Sequence, residues 1–289
     1  MKANLFIACA CKSGTSFLHD FLGKQNEVCP SMPKEPYYFE LKEDKRNHKE
    51  YLVRYFKHYS GEKYILDGRH RNMFFSWIPQ DIYNYNKDSK VIFILRNPID
   101  RAYSHWWMWY ARNKIKSKFH KTVKDELKRI SKEGYQMDFS PEEYAKFVED
   151  KVLEKRLAYA DALTIVESGY YYTQISRFKG LFGEHQLLIL DYDEISDPML
   201  LSQKLTEFLN ITICPFKKEQ RINQAPEYYK YKTSFSKFIP KTIKSIIKDC
   251  FFRKREIPEK SRRLLKKHYL EEIEKLQKEF GIEFAKKWK

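Results

Sequence analysis

Leu5-Phe-Ile-Ala-Cys9, the turn Cys11-Lys-Ser-Gly-Thr-Ser16 and the run Thr15-Ser-Phe-Leu-His-Asp-Phe-Leu22 make one stretch whose reading decides the fold. A short apolar run suits a buried strand, and the apolar residues beyond the turn return at helical spacing. A strand, a tight turn and a helix leave several free N–H groups aimed at one point, a geometry that binds anions. The arrangement recurs. Lys90-Val-Ile-Phe-Ile-Leu95 is a second apolar run, and Arg96-Asn-Pro-Ile-Asp-Arg-Ala-Tyr-Ser104 follows it, with Pro98 where the first turn of a helix tolerates proline. Two anion-binding strand ends predict a ligand with two phosphates.

Working outward, no Ser/Gly/Pro-rich linker divides the 289 residues. A single domain over 1–289 is expected, with 223–289 as its basic, helical C-terminal part. The chain is 42% hydrophobic and 16% aromatic, ample for a core, so its 33% of charged residues does not make it a disordered chain. Lys and Arg number 55 against 39 acidic residues, a formal charge of +16 that favours anionic partners. Nucleic acid is not expected among them, because no arginine-rich run or strand of interleaved aromatic and basic residues offers base stacking. The five cysteines Cys9, Cys11, Cys29, Cys214 and Cys250 are odd in number and irregular in spacing, and read as reduced thiols. The N-terminal apolar stretch is too short for a signal peptide and far below the ~20 residues of a membrane span. A cytoplasmic protein without a transmembrane segment is expected.

Along the chain, the three prolines of Cys29-Pro-Ser-Met-Pro-Lys-Glu-Pro36 predict irregular structure, and Tyr37-Tyr-Phe39 sends aromatic rings toward the core. Lys63-Tyr-Ile-Leu-Asp67 reads as a buried strand before the polar turn Gly68-Arg-His-Arg-Asn72. A helix is predicted from Asp100 to Arg112, and mostly helix over 119–155, with Ser140-Pro-Glu-Glu143 as a capping pattern. An amphipathic helix from Gly169 to Phe182, the strand Gln186-Leu-Leu-Ile-Leu190 and a helix from Leu200 to Leu209 give the alternation of a parallel sheet. Residues 241–253 place Ile243, Ile246, Ile247 and Cys250 on one face with lysines opposite. That basic amphipathic helix either packs on the domain or makes peripheral contact with an anionic membrane. A long helix is predicted from Arg262 to Phe280.

The turn at Lys12 is not a Walker A loop, which needs a glycine where Cys9 stands and its lysine after the last glycine. A nucleotide kinase or NTPase reading loses ground accordingly. Arg96 at one strand end and Ser104 one to two helical turns on can together clasp a phosphate, and guanidinium suits phosphate oxygens.

These residues resemble those of the sulfotransferases that use 3′-phosphoadenosine 5′-phosphosulfate (PAPS). Lys12-Ser-Gly-Thr15 is similar to the family's 5′-phosphosulfate loop, and Arg96 to Ser104 to its 3′-phosphate motif. Pro33-Lys-Glu-Pro-Tyr-Tyr-Phe39 and Leu190-Asp-Tyr-Asp-Glu-Ile-Ser-Asp-Pro198 resemble segments of the carbohydrate (heparan sulfate-type) branch, and imply a bacterial member of it. The resemblance implies a three-layer α/β fold with a mainly parallel sheet of about five strands and the ligand at the strands' carboxyl ends. PAPS is then the sulfuryl donor, with no metal, and a glycan or small alcohol the acceptor. Lys12 would stabilise the departing 5′-phosphate, the N–H groups of Ser13, Gly14, Thr15 and Ser16 would cradle it, and Arg96 and Ser104 would hold the 3′-phosphate. Glu35 of the Lys-Glu-Pro segment is the implied base. His70 is its rival, because the cytosolic small-molecule branch uses histidine, while His105 reads as structural.

The chain departs from the carbohydrate branch at Asp67-Gly-Arg-His-Arg71, where a Glu-Lys-Ser/Thr-Pro segment is expected. Lys34, Arg69, His70 and Arg71 are the candidate acceptor-binding residues around that turn, with Arg69 and Arg71 supplying the missing lysine's charge. The Arg-Lys-Gly-x-x-Gly loop of the cytosolic branch is also absent, so Lys230, Lys232 or Arg253 to Arg255 are candidates to close over the nucleotide. A saccharide acceptor is favoured by Lys34-Glu35-Pro36, with a sterol, lipid or other small alcohol next. A kinase or a basic nucleic-acid-binding module stands outside the family.

Overall fold

A computed structural model describes residues 1–148, 162–216 and 256–289. The amphipathic segment 241–253, Lys230, Lys232, Arg253 to Arg255, Cys250 and the end of the charged 119–155 region lie outside the described residues. Five strands form one sheet: β1 (Leu5–Ile7), β2 (Val28–Pro30), β3 (Tyr64–Gly68), β4 (Lys90–Leu95) and β5 (Leu187–Asp191). Their order is β2-β3-β1-β4-β5, and every pairing is parallel. The expected α/β class and strand number are met.

Apolar runs of the kind at Val91 to Leu95 belong to strands buried on both faces, and all five residues are fully buried. Alternate side chains feed two cores. Leu5, Ile7, Leu66, Ile92, Ile94 and Leu190 pack with α1 (Thr15–Leu22) and the helix Pro198–Leu209 on one face. Phe6, Ala8, Ile65, Val91, Phe93 and Leu95 pack on the other, thicker face. That face is built from α2 (His48–Phe56), α3 (Ile78–Tyr85), α4 (Pro98–Ala111), α5 (Phe119–Glu133), α6 (Pro141–Val148), α7 (Tyr171–Lys179) and a long C-terminal helix. In chain order Pro198–Leu209 is α8, and Glu259–Phe280 is α9. The result is three layers, helix on sheet on helix.

Local chemistry sets the helix starts. Asn97 caps α4 by accepting from the N–H groups of Ile99 (3.0 Å) and Asp100 (3.4 Å), which moves the start to Pro98. Asp197 does the same for α8, and Ser140 and Glu143 exchange the two bonds of a capping box at α6. One expectation is corrected. Cys29 and Pro30 belong to β2 rather than to an irregular segment, because β2 is an edge strand and tolerates a proline whose missing N–H faces away from its partner.

Candidate active site

The sheet reverses its winding between β1 and β4, the switch point at which such folds bind ligands outside the strands' carboxyl ends. Lys12 leaves β1 there with φ of 72°, and Gly14 follows with φ of 95°. Left-handed backbone costs a residue with a Cβ on the order of 1–2 kcal/mol. It has a use here, because it turns the chain sharply into α1, which opens on Gly14 with no side-chain cap. The N–H groups of the first turn are thereby left to an outside acceptor. Glycine suits that backbone, and a Cβ on it would lie 2.5 Å from Ile195 Cδ1, the mobile end of a side chain that would have to shift. The cradle of four N–H groups needs one correction: Ser13 N–H donates to Ala10 O at 3.2 Å and closes the turn, leaving those of Gly14, Thr15 and Ser16 at the helix mouth.

The second string is bolted onto the first. Arg96, one residue past β4, donates from Nη1 to Lys12 O at 3.2 Å, with its guanidinium 4.5 Å from the ring centre of Tyr192. Arg101, which the sequence reading passed over, is fully buried and donates from Nη1 to Cys11 O at 3.2 Å and from Nη2 to Ile165 O. Two arginines of one string thus hold two successive carbonyls of the other. Tyr171 hydroxyl, another unforeseen partner, donates to Arg96 O at 2.9 Å. Ser104 lies buried on α4, roughly two turns beyond Arg96. His105 is buried too, with Nδ1 3.3 Å from Arg101 Nη1.

Glu35 and His70, rivals in sequence, are partners in space. Glu35 stands at φ of 71°, on the segment after β2, and His70 in the turn after β3. Glu35 Oε2 lies 2.8 Å from His70 Nδ1 and also accepts from the N–H of His70 (3.2 Å) and Nη1 of Arg69 (3.4 Å). Its Oε1 pairs with Lys34 Nζ. Burial works to raise the carboxyl's pKa, but Lys34, the charge and hydrogen bond of His70, and Arg69 outweigh it and hold Glu35 well below the usual carboxylate range. Since an ionised carboxylate only accepts, Nδ1 of His70 carries the proton in this pair.

Arg71 serves the interior, and Arg69 divides its contacts between Glu35 and the interior. Arg69 and Arg71 are 5% and 2% exposed, which corrects the expectation that both display charge to an acceptor. A buried carboxylate draws them inward. Glu40, missed in the sequence, receives Arg69 Nε at 2.5 Å and Tyr144 hydroxyl at 3.1 Å, and lies 3.6 Å from Arg71 Nε. Arg71 also stacks over Phe74 and Phe75. Asp67, fully buried, accepts from Tyr51 hydroxyl (2.7 Å) and Asn72 Nδ2 (3.2 Å), and burial pushes it up to about 7.

The family model described as the sulfotransferase domain matches residues 2–287. The chain belongs to the sulfotransferase family. The crystal structure of a sulfotransferase from Alicyclobacillus acidocaldarius superposes with a TM-score of 0.66 over 96% of this chain and 95% of its own, at 19% identity. The sulfotransferase domain from the curacin biosynthetic pathway aligns over 75% of this chain and 76% of its own, at 15% identity and a TM-score of 0.45. No curated protein matches the sequence.

In this sulfotransferase α1 links the two halves of the site. His19 on α1 meets Ser31 Oγ at 3.1 Å, and burial with the charge of Lys34 pushes the imidazole down to about 4. Burial pushes the Cys9 thiol up to about 12, where it accepts from Ile94 N–H at 3.0 Å as a structural group. Among the described residues no group of three His, Cys, Asp or Glu side chains is placed to hold a metal, and no helix is long and apolar enough to cross a membrane.

Proposed function

We propose that this sulfotransferase moves the sulfuryl group of PAPS to a hydroxyl, or in second place an amine, of a saccharide or glycan. The observation that carries this reading is the fusion of two anion-binding strand ends through Arg96 and Arg101 at the switch point. The residues fit such a donor. Ser13 and Thr15 are buried beside the helix mouth, and their hydroxyls, which lie near Tyr171 and Cys9, make no hydrogen bond of good geometry among the described residues. Gly14 presents bare backbone between them.

When bound, PAPS supplies a sulfuryl group already activated by a phosphate leaving group. Lys12 offsets the charge that develops on that phosphate, while the N–H groups of Gly14, Thr15 and Ser16 hold its oxygens. Arg96 and Ser104 take the 3′-phosphate. Glu35, ionised at neutral pH, accepts the proton of the attacking acceptor, with His70 fixing its second oxygen. Lys34-Glu35-Pro36 supports an acceptor of the glycan class, and the +16 charge suits anionic partners in general.

Calorimetry with PAP (the 3′,5′-bisphosphate product), ATP and RNA tests the donor, and undetectable PAP binding sinks the reading. Labelled PAPS offered to glycans and to small alcohols tests the acceptor. Glu35→Gln is expected to abolish turnover while PAP affinity survives; normal turnover would pass the base role to His70.

A further inference from the structure

A base on a surface turn has to be held to within about 0.5 Å and 10–20° of its working pose, and Glu35 sits on such a turn with its side chain 29% exposed. What holds it comes from the interior. Arg69 reaches Glu35 Oε2 with Nη1 at 3.4 Å while Nε is fixed on Glu40 Oε1 at 2.5 Å. Glu40 is itself fixed by the Tyr144 hydroxyl at 3.1 Å, with Arg71 Nε 3.6 Å away. The groups alternate in sign from the core to the surface, and Arg69 is the member that touches both carboxylates.

We infer that Arg69 and Glu40 form a buried brace whose task is to position Glu35, with Arg69 as a positioning residue for the proton transfer. The bland alternative is that Arg69 merely neutralises Glu40. Its geometry argues against that. Nε is taken up by Glu40, while Nη1 of the same group turns to the second carboxylate, Glu35, at 3.4 Å, a contact that neutralising Glu40 alone does not call for. A fork that spans two carboxylates explains why a guanidinium stands there, since an ammonium is a point charge and cannot span them.

The brace also has an electrical consequence. Lys34, His70 and Arg69 face Glu35 directly, and Asp67, His19 and Cys9 lie within reach of its charge. Arg69 is among the cations that lower the Glu35 carboxyl, so weakening its contact raises that carboxyl, and activity is lost at a higher pH on the acid side. Replacing Glu40 by an amide removes the charge competing for Arg69 and acts in the opposite sense.

The inference rests on Glu35 being the base, and the experiment separates the two claims. Turnover of labelled PAPS is measured against pH for Arg69→Lys, Glu40→Gln and Glu35→Gln, with PAP affinity by calorimetry and folding by circular dichroism. Arg69→Lys is expected to lose about tenfold in kcat, to keep PAP affinity within about twofold, and to move the acid limb upward. Glu40→Gln is expected to move the limb downward with PAP affinity kept. An unmoved limb and kcat in Arg69→Lys, an equal loss of PAP affinity, or an upward shift in both variants would overturn the brace. Should Arg69→Lys fail to fold, Glu40→Gln decides alone, and a limb that rises or stays put overturns it. Turnover surviving in Glu35→Gln defeats the base assignment; inactivity there beside a wild-type Arg69→Lys defeats the brace alone.

Discussion

The two halves of this site are made of different materials. Around Lys12 and Arg96 the working groups are mostly backbone: a helix mouth, a bare glycine, and carbonyls turned away and tied down by Arg96 and Arg101. Around Glu35 they are side chains, three charged groups and the His70 imidazole, whose positions depend on one another and on Glu40 below. A backbone site carries fixed dipoles that pH does not alter. A side-chain site can be tuned, and it titrates. The comparison predicts a donor half that tolerates pH and an acceptor half that responds to it.

The largest effect that tests this is in the donor half. Lys12→Ala is expected to cut turnover of labelled PAPS by about 10²–10³-fold, with PAP affinity falling far less. A variant that keeps its rate removes the main cationic group from the leaving phosphate. Next, Arg96→Ala is expected to raise the Kd for PAP by about tenfold to a hundredfold in calorimetry. It should lower kcat as well, since the same guanidinium holds the Lys12 carbonyl. An effect on kcat alone would detach Arg96 from the nucleotide.

Gly14→Ala follows, through strain of roughly 1–3 kcal/mol at positive φ, with the end of the Ile195 side chain also having to shift. A lower melting temperature together with weaker PAP binding is expected, and an unchanged protein would mean that the turn can relax. The smallest effect concerns Asp67, raised from the ordinary 3.8 to about 7 by burial. A carboxyl that binds its proton more tightly folded than unfolded contributes stability at low pH, and that contribution is lost as pH climbs from about 4 to about 7. Asp67→Asn should flatten this slope in denaturant midpoints at pH 5 and pH 8. An unchanged slope would remove Asp67 from the pH response of the acceptor half.

The same contrast explains what was legible in the sequence. The strand, turn and helix strings are local, and capping by Asn97, Asp197 and Ser140 is a matter of a few neighbouring residues, so the elements lie close to where their residues place them. The sheet's edge is a long-range fact, and Pro30 therefore misleads. Longer-range still is Glu40: no periodicity says that it is buried, so nothing nearby reveals that Arg69 and Arg71 turn inward to meet it. Arg101 carried a usable signal, a second arginine inside the same string and one helical turn before His105. Ser13 shows the limit of motif reasoning, because a turn needs one of its own N–H groups in order to close.

Gly14 also rests against Ile195 and Tyr192, which arrive with β5, although the strings at Lys12 and Arg96 both lie in the first half of the chain. During synthesis the two strings leave the ribosome long before the wall they lean on. Pairing over so long a span is slow, so the turn at Gly14 gains this wall late in folding. A nascent chain that carries both strings but no β5 has the letters of the site without its back.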